Sequence, residues 1–289
     1  MKLYAISDLH VGHADNHAAL VGLSAHPEDW LILAGDLGET EAHMRFVLEL
    51  ATERFARVFW TPGNHELWGV GPVGRVEASA GGVARYDSLV ALCRSYDVHT
   101  PEDPYVAWPG SGESTLVAPV FILYDGTFAP AGVGDLRVWA SRGGVACADD
   151  RYLDPAPHAS VAQWCAARLQ YTEARLAALP DDVSVVLVNH FPLRRDLVRF
   201  VRLSRFGPWC GSRGTESWLR RFPISVVVSG HLHMRSTDWR GNVRFEEVSL
   251  GYPRHWDGSR HIDAYLREIL PGPSRKLGGG PGAGPRWVR

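Results

Sequence analysis

Eight residues spread along this chain have types suited to holding a pair of metal ions. They are Asp8 and His10 in SDLH, Asp36 in GD, Asn64 and His65 in GNHE, His190 in NH, and His231 and His233 in GHLH. Carboxylates, an amide carbonyl and neutral imidazoles suit divalent Mn, Fe or Zn, and the set lacks the thiolates that a closed structural zinc site favours. The donors therefore imply an open, oxygen-rich catalytic site. Two cations held about 3.5–4 Å apart need one ligand that reaches both, and a carboxylate such as Asp36 can give an oxygen to each. SDLH and GD alone are weak signals, because Ser, Asp and His are common in turns. GNHE and GHLH are stronger, because glycine-flanked Asn and His at the exit of a buried strand are a poor packing solution. The remaining histidines, His13, His17, His26, His43, His99, His158, His255 and His261, are expected at the surface or in packing, with His13 the nearest exception.

The elements that must position these groups are legible from spacing. Asp8, Asp36 and Asn64 each fall 28 residues after the last, close to the roughly 30 residues of one βαβ unit. KLYAI runs into Asp8, WLILAG into Asp36, RVFW into the Asn64 loop, VSVVLV into His190 and ISVVVS into His231. All are short, apolar and rich in β-branched residues, as buried parallel strands are. Ligands in open α/β sheets gather outside the carboxyl ends of strands. Five such exits along one parallel sheet would bring every candidate to one crevice. Between residues 68 and 182 no metal motif occurs. RYDSLVALCRSYDV and SVAQWCAARLQYTEARLAAL read as helices, the second stopped by Pro180, while PYVAW, STLVAPVFIL and LRVWA read as strands of a second sheet packed on the first. The glycine-rich GVGPVGRVEASAGG after Trp68 reads as a loop near the site.

In order and type, D-x-H, GD, GNH[DE], H and GHxH resemble the calcineurin-like metallophosphoesterase superfamily, and every position of that pattern is filled here. The resemblance implies a four-layer αββα sandwich of two mixed sheets flanked by helices. It implies one metal held by Asp8, His10, Asp36 and His233 and a second by Asp36, Asn64, His190 and His231, with His65 the proton donor to the leaving oxygen. Within the superfamily, EDWLILAGD, TPGNHELW, ARYDSLVALC with DVHTPEDP, LVNHFPL, the WCG loop at Trp209, and GHLH followed by DWRGNVRFEEVSLGYPRHW resemble the actinobacterial phosphopantetheinyl hydrolases. That likeness implies removal of phosphopantetheine from holo acyl or peptidyl carrier proteins. It also implies two divalent or mixed-valence ions, Mn and/or Fe, with Zn also compatible, and makes Trp68, Arg205 and Trp209 candidate substrate contacts. A general phosphoesterase acting on nucleotides or other small phosphoesters would carry the same motifs. A metal-free binding scaffold would show lost ligands, and none is lost.

Composition bounds the rest. The 289 residues, 45% hydrophobic and 10% aromatic, can bury a substantial core. Ligands at both ends of it imply one domain over 1–270, and the Gly/Pro-rich 271–289 reads as a disordered tail. A formal net charge of −2 gives no global attraction to nucleic acid or an anionic membrane. MKLYAISDLH lacks the charged n-region and apolar stretch of an export signal, and no apolar run approaches about 20 residues. Cys93, Cys147, Cys165 and Cys210 form no CxxC pair. A cytoplasmic location is therefore expected. Between His190 and His231 lie Arg194, Arg195, Arg199, Arg202, Arg205, Arg213, Arg220 and Arg221 against Asp196 and Glu216. This basic run reads either as a solvated face or as a rim for an acidic carrier protein.

Overall fold

The structure, a computed structural model, describes residues 1–68, 81–110, 114–200 and 204–272. The glycine-rich stretch after Trp68, Arg202 and the tail beyond Gly272 lie outside the described residues. In chain order the strands are Leu3–Ile6 (β1), His26–Leu33 (β2), Phe55–Trp60 (β3), Val106–Ala107 (β4), Thr115–Pro119 (β5), Ser184–Val188 (β6), Ile224–Ser229 (β7), Ser236–Arg240 (β8), Val243–Glu247 (β9) and Arg267–Leu270 (β10). The helices are Ala14–Val21 (α1), Glu41–Arg54 (α2), Asn64–Leu67 (α3), Gly82–Ser95 (α4), Leu136–Ser141 (α5), Asp149–Tyr152 (α6), Val161–Ala177 (α7) and Trp218–Arg221 (α8). Thr40 caps α2 by accepting from His43 N at 3.1 Å, and Ser160 caps α7 by accepting from Gln163 N at 3.2 Å. Among the described residues no helix is long and apolar enough to cross a membrane.

Two mixed sheets form the centre, ordered β10-β1-β2-β3 and β4-β5-β6-β7-β9-β8. In the first, β1, β2 and β3 run parallel and β10 pairs antiparallel with β1; in the second, β5, β6, β7 and β9 run parallel and an antiparallel strand, β4 or β8, closes each edge. Strand alternation divides the core into layers. Ala5, Ile32 and Phe59 from the first sheet meet Val117, Val186, Val188 and Val228 from the second in one apolar cluster between the sheets. The alternate residues, Ile6, Leu31, Val58 and Trp60 with Val185 and Leu187, cluster with Leu20, Val47, Leu89, Trp164 and Leu176 of the covering helices. This is the expected αββα sandwich.

Three expectations need correction. The five motif-bearing strands do not share one sheet: β1, β2 and β3 lie in the four-stranded sheet, while β6 and β7 are central to the six-stranded one. Apolar, β-branched patterning reports that a strand is buried on both faces, and both sheets bury their strands so. The second sheet is also completed by β8 and β9, beyond GHLH, with only β4 and β5 drawn from the middle segment. Finally, LRVWA is helix α5. Asp135 caps it by accepting from Val138 N at 3.0 Å, and that local hydrogen bond outweighs the strand preference of Val138 and Trp139. The run STLVAPVFIL leaves the sheet after Pro119 because its neighbour β6 ends at Val188. From there Ile122 N donates to the Asn189 side chain at 2.8 Å.

Candidate metal centre

The candidate residues follow the carboxyl ends of the parallel strands: Asp8 and His10 after β1, Asp36 after β2, Asn64 and His65 at the start of α3 after β3, His190 after β6, and His231 and His233 after β7. The two sheets are stitched together at this end. Ser7 bridges to Ser249, and the Thr61 hydroxyl donates to Val120 O, linking the exits of β3 and β5. Seven of the eight candidates have facing ligand atoms there. Asp8, His10 and His233 form one group of facing ligand atoms, and Asp36, His190 and His231 another, with Asp36 also facing His10 and His65. Asp36 thus stands between the groups, as a bridging carboxylate must.

The backbone is bent to aim them. Asp8, His10, Asp36, His231 and His233 have φ of 53°, 42°, 55°, 69° and 52°, in the left-handed region that costs a non-glycine residue about 1–3 kcal/mol. The only other non-glycine residues so bent among those described are Asp97 and Arg235, so the strain is concentrated on the candidate ligands. Glycines allow the close approach. A Cβ at Gly63 would lie 2.0 Å from Asp36 Oδ1, and one at Gly230 would lie 2.3 Å from Asp8 Oδ2. That is the physical reason for glycine in GNHE and GHLH.

Fixed partners orient the side chains from behind. His190 Nδ1 lies 2.8 Å from Ala34 O, which orients the ring and turns Nε2 toward Asp36, 3.4 Å from Oδ2. Asn64 Nδ2 donates to Asp149 Oδ1 at 2.8 Å, which turns its Oδ1 the other way. Asp8 Oδ2 accepts from Ser7 at 2.6 Å and Ser249 at 2.8 Å, and the backbone of His231 donates to the same carboxylate. Asp36 Oδ1 accepts from His65 N at 2.9 Å. Of the six buried side-chain atoms without a hydrogen-bond partner among the described residues, three belong to candidates: Asn64 Oδ1, His190 Nε2 and His231 Nε2. Orphaned buried polar atoms are costly. His190 and His231 stand with Asp36 in one group of facing ligand atoms, and imidazoles and a carboxylate so grouped fit a cation.

The charges agree. Burial opposes ionisation of Asp8 and Asp36, yet His233 and His190 beside them outweigh it and hold both carboxyls well below the usual range. Burial likewise opposes the imidazolium of His190, but Asp36 and Asp8 lift it to about 10. At His65, Asp36 and a 3.2 Å contact from Nδ1 to Glu39 Oε1 overcome burial and raise the pKa to about 9. At His231 burial and the neighbouring His190 outweigh Asp36 and Asp8 and push it down to about 3.

Several residues that build the site stand outside the eight candidates. Glu66 follows His65 inside GNHE; its carboxylate accepts from the backbone of Gly63 and Asp36 at 3.0 Å and of Leu37 at 2.9 Å, clamping two motif loops together. Asp149 lies in the middle segment, 85 residues from the Asn64 it holds, and also accepts from Trp68 Nε1 at 2.8 Å and the Tyr124 hydroxyl at 2.9 Å. His255, expected in packing or at the surface, puts Nδ1 2.9 Å from His233 Nδ1. The His13 ring packs edge-on against Tyr252 at 5.4 Å, and the Tyr252 ring stacks 4.5 Å from His10.

The candidate substrate contacts are placed differently from one another. Trp68 is buried, its ring 3.9 Å from His65. Trp209 is buried with Nε1 3.3 Å from Asp150. Arg205 donates to Trp139 O at 2.6 Å and lies over the Trp139 ring. Much of the arginine run is engaged internally: Arg194 pairs with Asp196, Arg199 with Asp238, Arg213 with Glu216 and Arg221 with Glu173.

A family model described as calcineurin-like phosphoesterase matches residues 1–235, a span that holds every candidate ligand. This chain belongs to the calcineurin-like phosphoesterase family. As a member it is a metal-dependent phosphoester hydrolase. A relative from Mycobacterium tuberculosis, named acyl-carrier-protein phosphodiesterase PptH, is 42% identical over 275 residues, which span 94% of this chain and 84% of the relative. The crystal structure of phosphopantetheinyl hydrolase PptH from that organism matches with a TM-score of 0.89 at 41% identity, over 96% of this chain and 98% of the other.

Proposed function

We propose that this chain is a phosphodiesterase that releases phosphopantetheine from holo acyl and peptidyl carrier proteins, with two divalent ions at the site. Asp8, His10, Asp36 and His233 would hold one ion, and Asp36, Asn64, His190 and His231 the other. The observation that carries the substrate reading is the likeness over 94% of the chain to a protein named acyl-carrier-protein phosphodiesterase. When bound, the ions supply Lewis acidity toward the phosphoryl group and ready water for attack. The donor set of imidazole, carboxylate and amide oxygen favours Mn and/or Fe, with Zn compatible.

The protein's own residues do the rest. Asp36 carries charge to both ligand groups. His65 is not needed as a ligand, and with Nδ1 held by Glu39 and Trp68 against its ring it presents Nε2 to the crevice. Protonated there, it serves as general acid to the serine oxygen of the carrier protein as the ester bond breaks. The products are apo carrier protein and phosphopantetheine. Four buried cysteines without a disulfide among the described residues accord with a reducing cytoplasm.

The test is to incubate Mn-loaded protein with holo carrier protein, a nucleotide monoester and a simple aryl phosphodiester, and to follow product masses. Release of phosphopantetheine in preference to the other products supports the reading. Intact holo carrier protein beside rapid hydrolysis of the nucleotide would make the chain a general phosphoesterase.

A further inference from the structure

A cavity of 340 Å³ opens beside the metal centre, at the same carboxyl end of the six-stranded sheet. Asp125, six residues past the end of β5, lines one side, and the first turn of α7 lines another. Its inner wall includes Asp149 and Trp209. Asp149 holds the Asn64 amide at 2.8 Å, and the Trp209 ring stacks 5.9 Å from Phe206, whose ring lies 5.8 Å from that of His231. The cavity therefore ends one side chain away from two residues assigned to the same metal ion. A smaller cavity of 230 Å³, beside Arg57, Tyr96 and His99, lies at the opposite end of β3, away from the site.

The lining narrows the ligand. Volumes of a few hundred Å³ with mostly apolar walls and a few polar groups suit a small organic chain. Leu136, Leu153 and Trp209 give this cavity its apolar surface, and Asp125, Asp149 and Asp150 add carboxylates. Against those three stands one arginine, Arg137, already paired with Asp150 at 3.2 Å. Such a balance repels a polyphosphate or a nucleotide tail. It welcomes a neutral chain that alternates apolar carbons with amide and hydroxyl donors. We infer that this cavity receives the pantetheine arm of the substrate while the phosphodiester sits at the metal centre. The inference rests on the carrier-protein reading above, and it explains how the enzyme would tell a holo carrier protein from other diesters: binding energy from the remote arm favours the substrate that has one.

Ala162, exposed on the first turn of α7, and Ala159, just before the helix, both line the cavity and lie outside the metal centre. The variants Ala162→Trp and Ala159→Phe should each narrow it. The quantity to measure is kcat/KM for holo carrier protein divided by kcat/KM for bis(4-nitrophenyl) phosphate, a diester with no arm. This ratio is expected to fall by roughly tenfold or more in each variant. Free pantetheine is expected to inhibit carrier-protein hydrolysis by the unaltered enzyme and to inhibit Ala162→Trp less. A ratio within about twofold of the unaltered enzyme, equal loss on both substrates, or no inhibition by pantetheine overturns the arm site while leaving carrier-protein hydrolysis intact. The inhibition measurement needs no variant, so it decides the matter even if both substitutions fail to fold. Unaltered enzyme that cleaves the aryl diester but not holo carrier protein overturns the carrier-protein reading and the arm site with it.

Discussion

The two halves of the proposed metal centre are built differently. In the first, the donors satisfy one another: His233 Nε2 lies 2.9 Å from Asp8 Oδ1 and 3.3 Å from His10 Nε2. In the second, Asn64 Oδ1, His190 Nε2 and His231 Nε2 have no partner among the described residues, while Asp149 and Ala34 O hold the Asn64 and His190 side chains from behind. A cation entering the first half must displace hydrogen bonds among the donors, whereas one entering the second meets side chains already oriented from behind and displaces the His190 proton. Preorganisation of this kind favours binding because little is lost on association. The second half should fill first in a metal titration, and a titration in which the first half fills first would break the comparison.

The largest effect is expected where the halves meet. Asp36→Asn weakens both at once, so activity should fall well beyond the roughly 10–100-fold typical of losing an outer partner, and metal content should drop from two ions toward one or none. His10→Ala, confined to the first half, should leave one ion bound. Full activity in Asp36→Asn, or in protein stripped by a chelator, would sink the assignment. Next comes His65→Ala, which should lower turnover by about 10²–10⁴ while both halves keep their metal. The deficit should shrink for an aryl leaving group, which needs no proton. Equal loss on aryl and alkyl esters, or a lost ion, would remove His65 from its role.

A smaller and more local effect is expected at Asp149. Asp149→Ala frees the Asn64 amide to rotate, so affinity should fall about 10–100-fold in the second half alone. Site-resolved titration with Mn checks this, and equal weakening of both halves would mean a general packing defect. Asp149→Asn keeps an oxygen acceptor and should recover part of the loss.

The mildest effect is a pH dependence. Without metal, burial resists the His190 proton but Asp36 and Asp8 hold it with a pKa of about 10, against an ordinary value of 6.5. His65, at about 9, behaves likewise. A raised folded pKa adds stability that is complete below 6.5 and is lost as pH rises toward 10. A cation must displace the His190 proton, so the rise in Tm on adding Mn should grow with pH across that window. Thermal melts with and without chelator measure it. An increment that is flat or falls with pH would contradict the charge balance described for the second half.

Much of this protein is legible in its residues because the chemistry is local to short motifs. A strand that ends in GD, GNHE or GHLH declares its own exit, and each candidate ligand sits within a few residues of its strand, so Asp8, Asp36, Asn64, His190 and His231 could be singled out one motif at a time. The repeat of 28 residues predicts β1-α-β2-α-β3, and those elements form. What stayed hidden depends on residues far apart in the chain. β6 looks like β1 in sequence, because both are buried on two faces, and only packing decides that they belong to different sheets. Asp149 is one aspartate among many until folding carries it to Asn64. Even the asymmetry of the two halves is tertiary: histidines of the same type become paired at His233 and orphaned at His231 because backbone bends and neighbours, not identity, fix which atoms face each other. Residue type and spacing determined which chemistry is available; the meeting of two sheets at one edge decided its geometry, since hydrogen-bond partners and cavity walls exist only once distant segments are packed together.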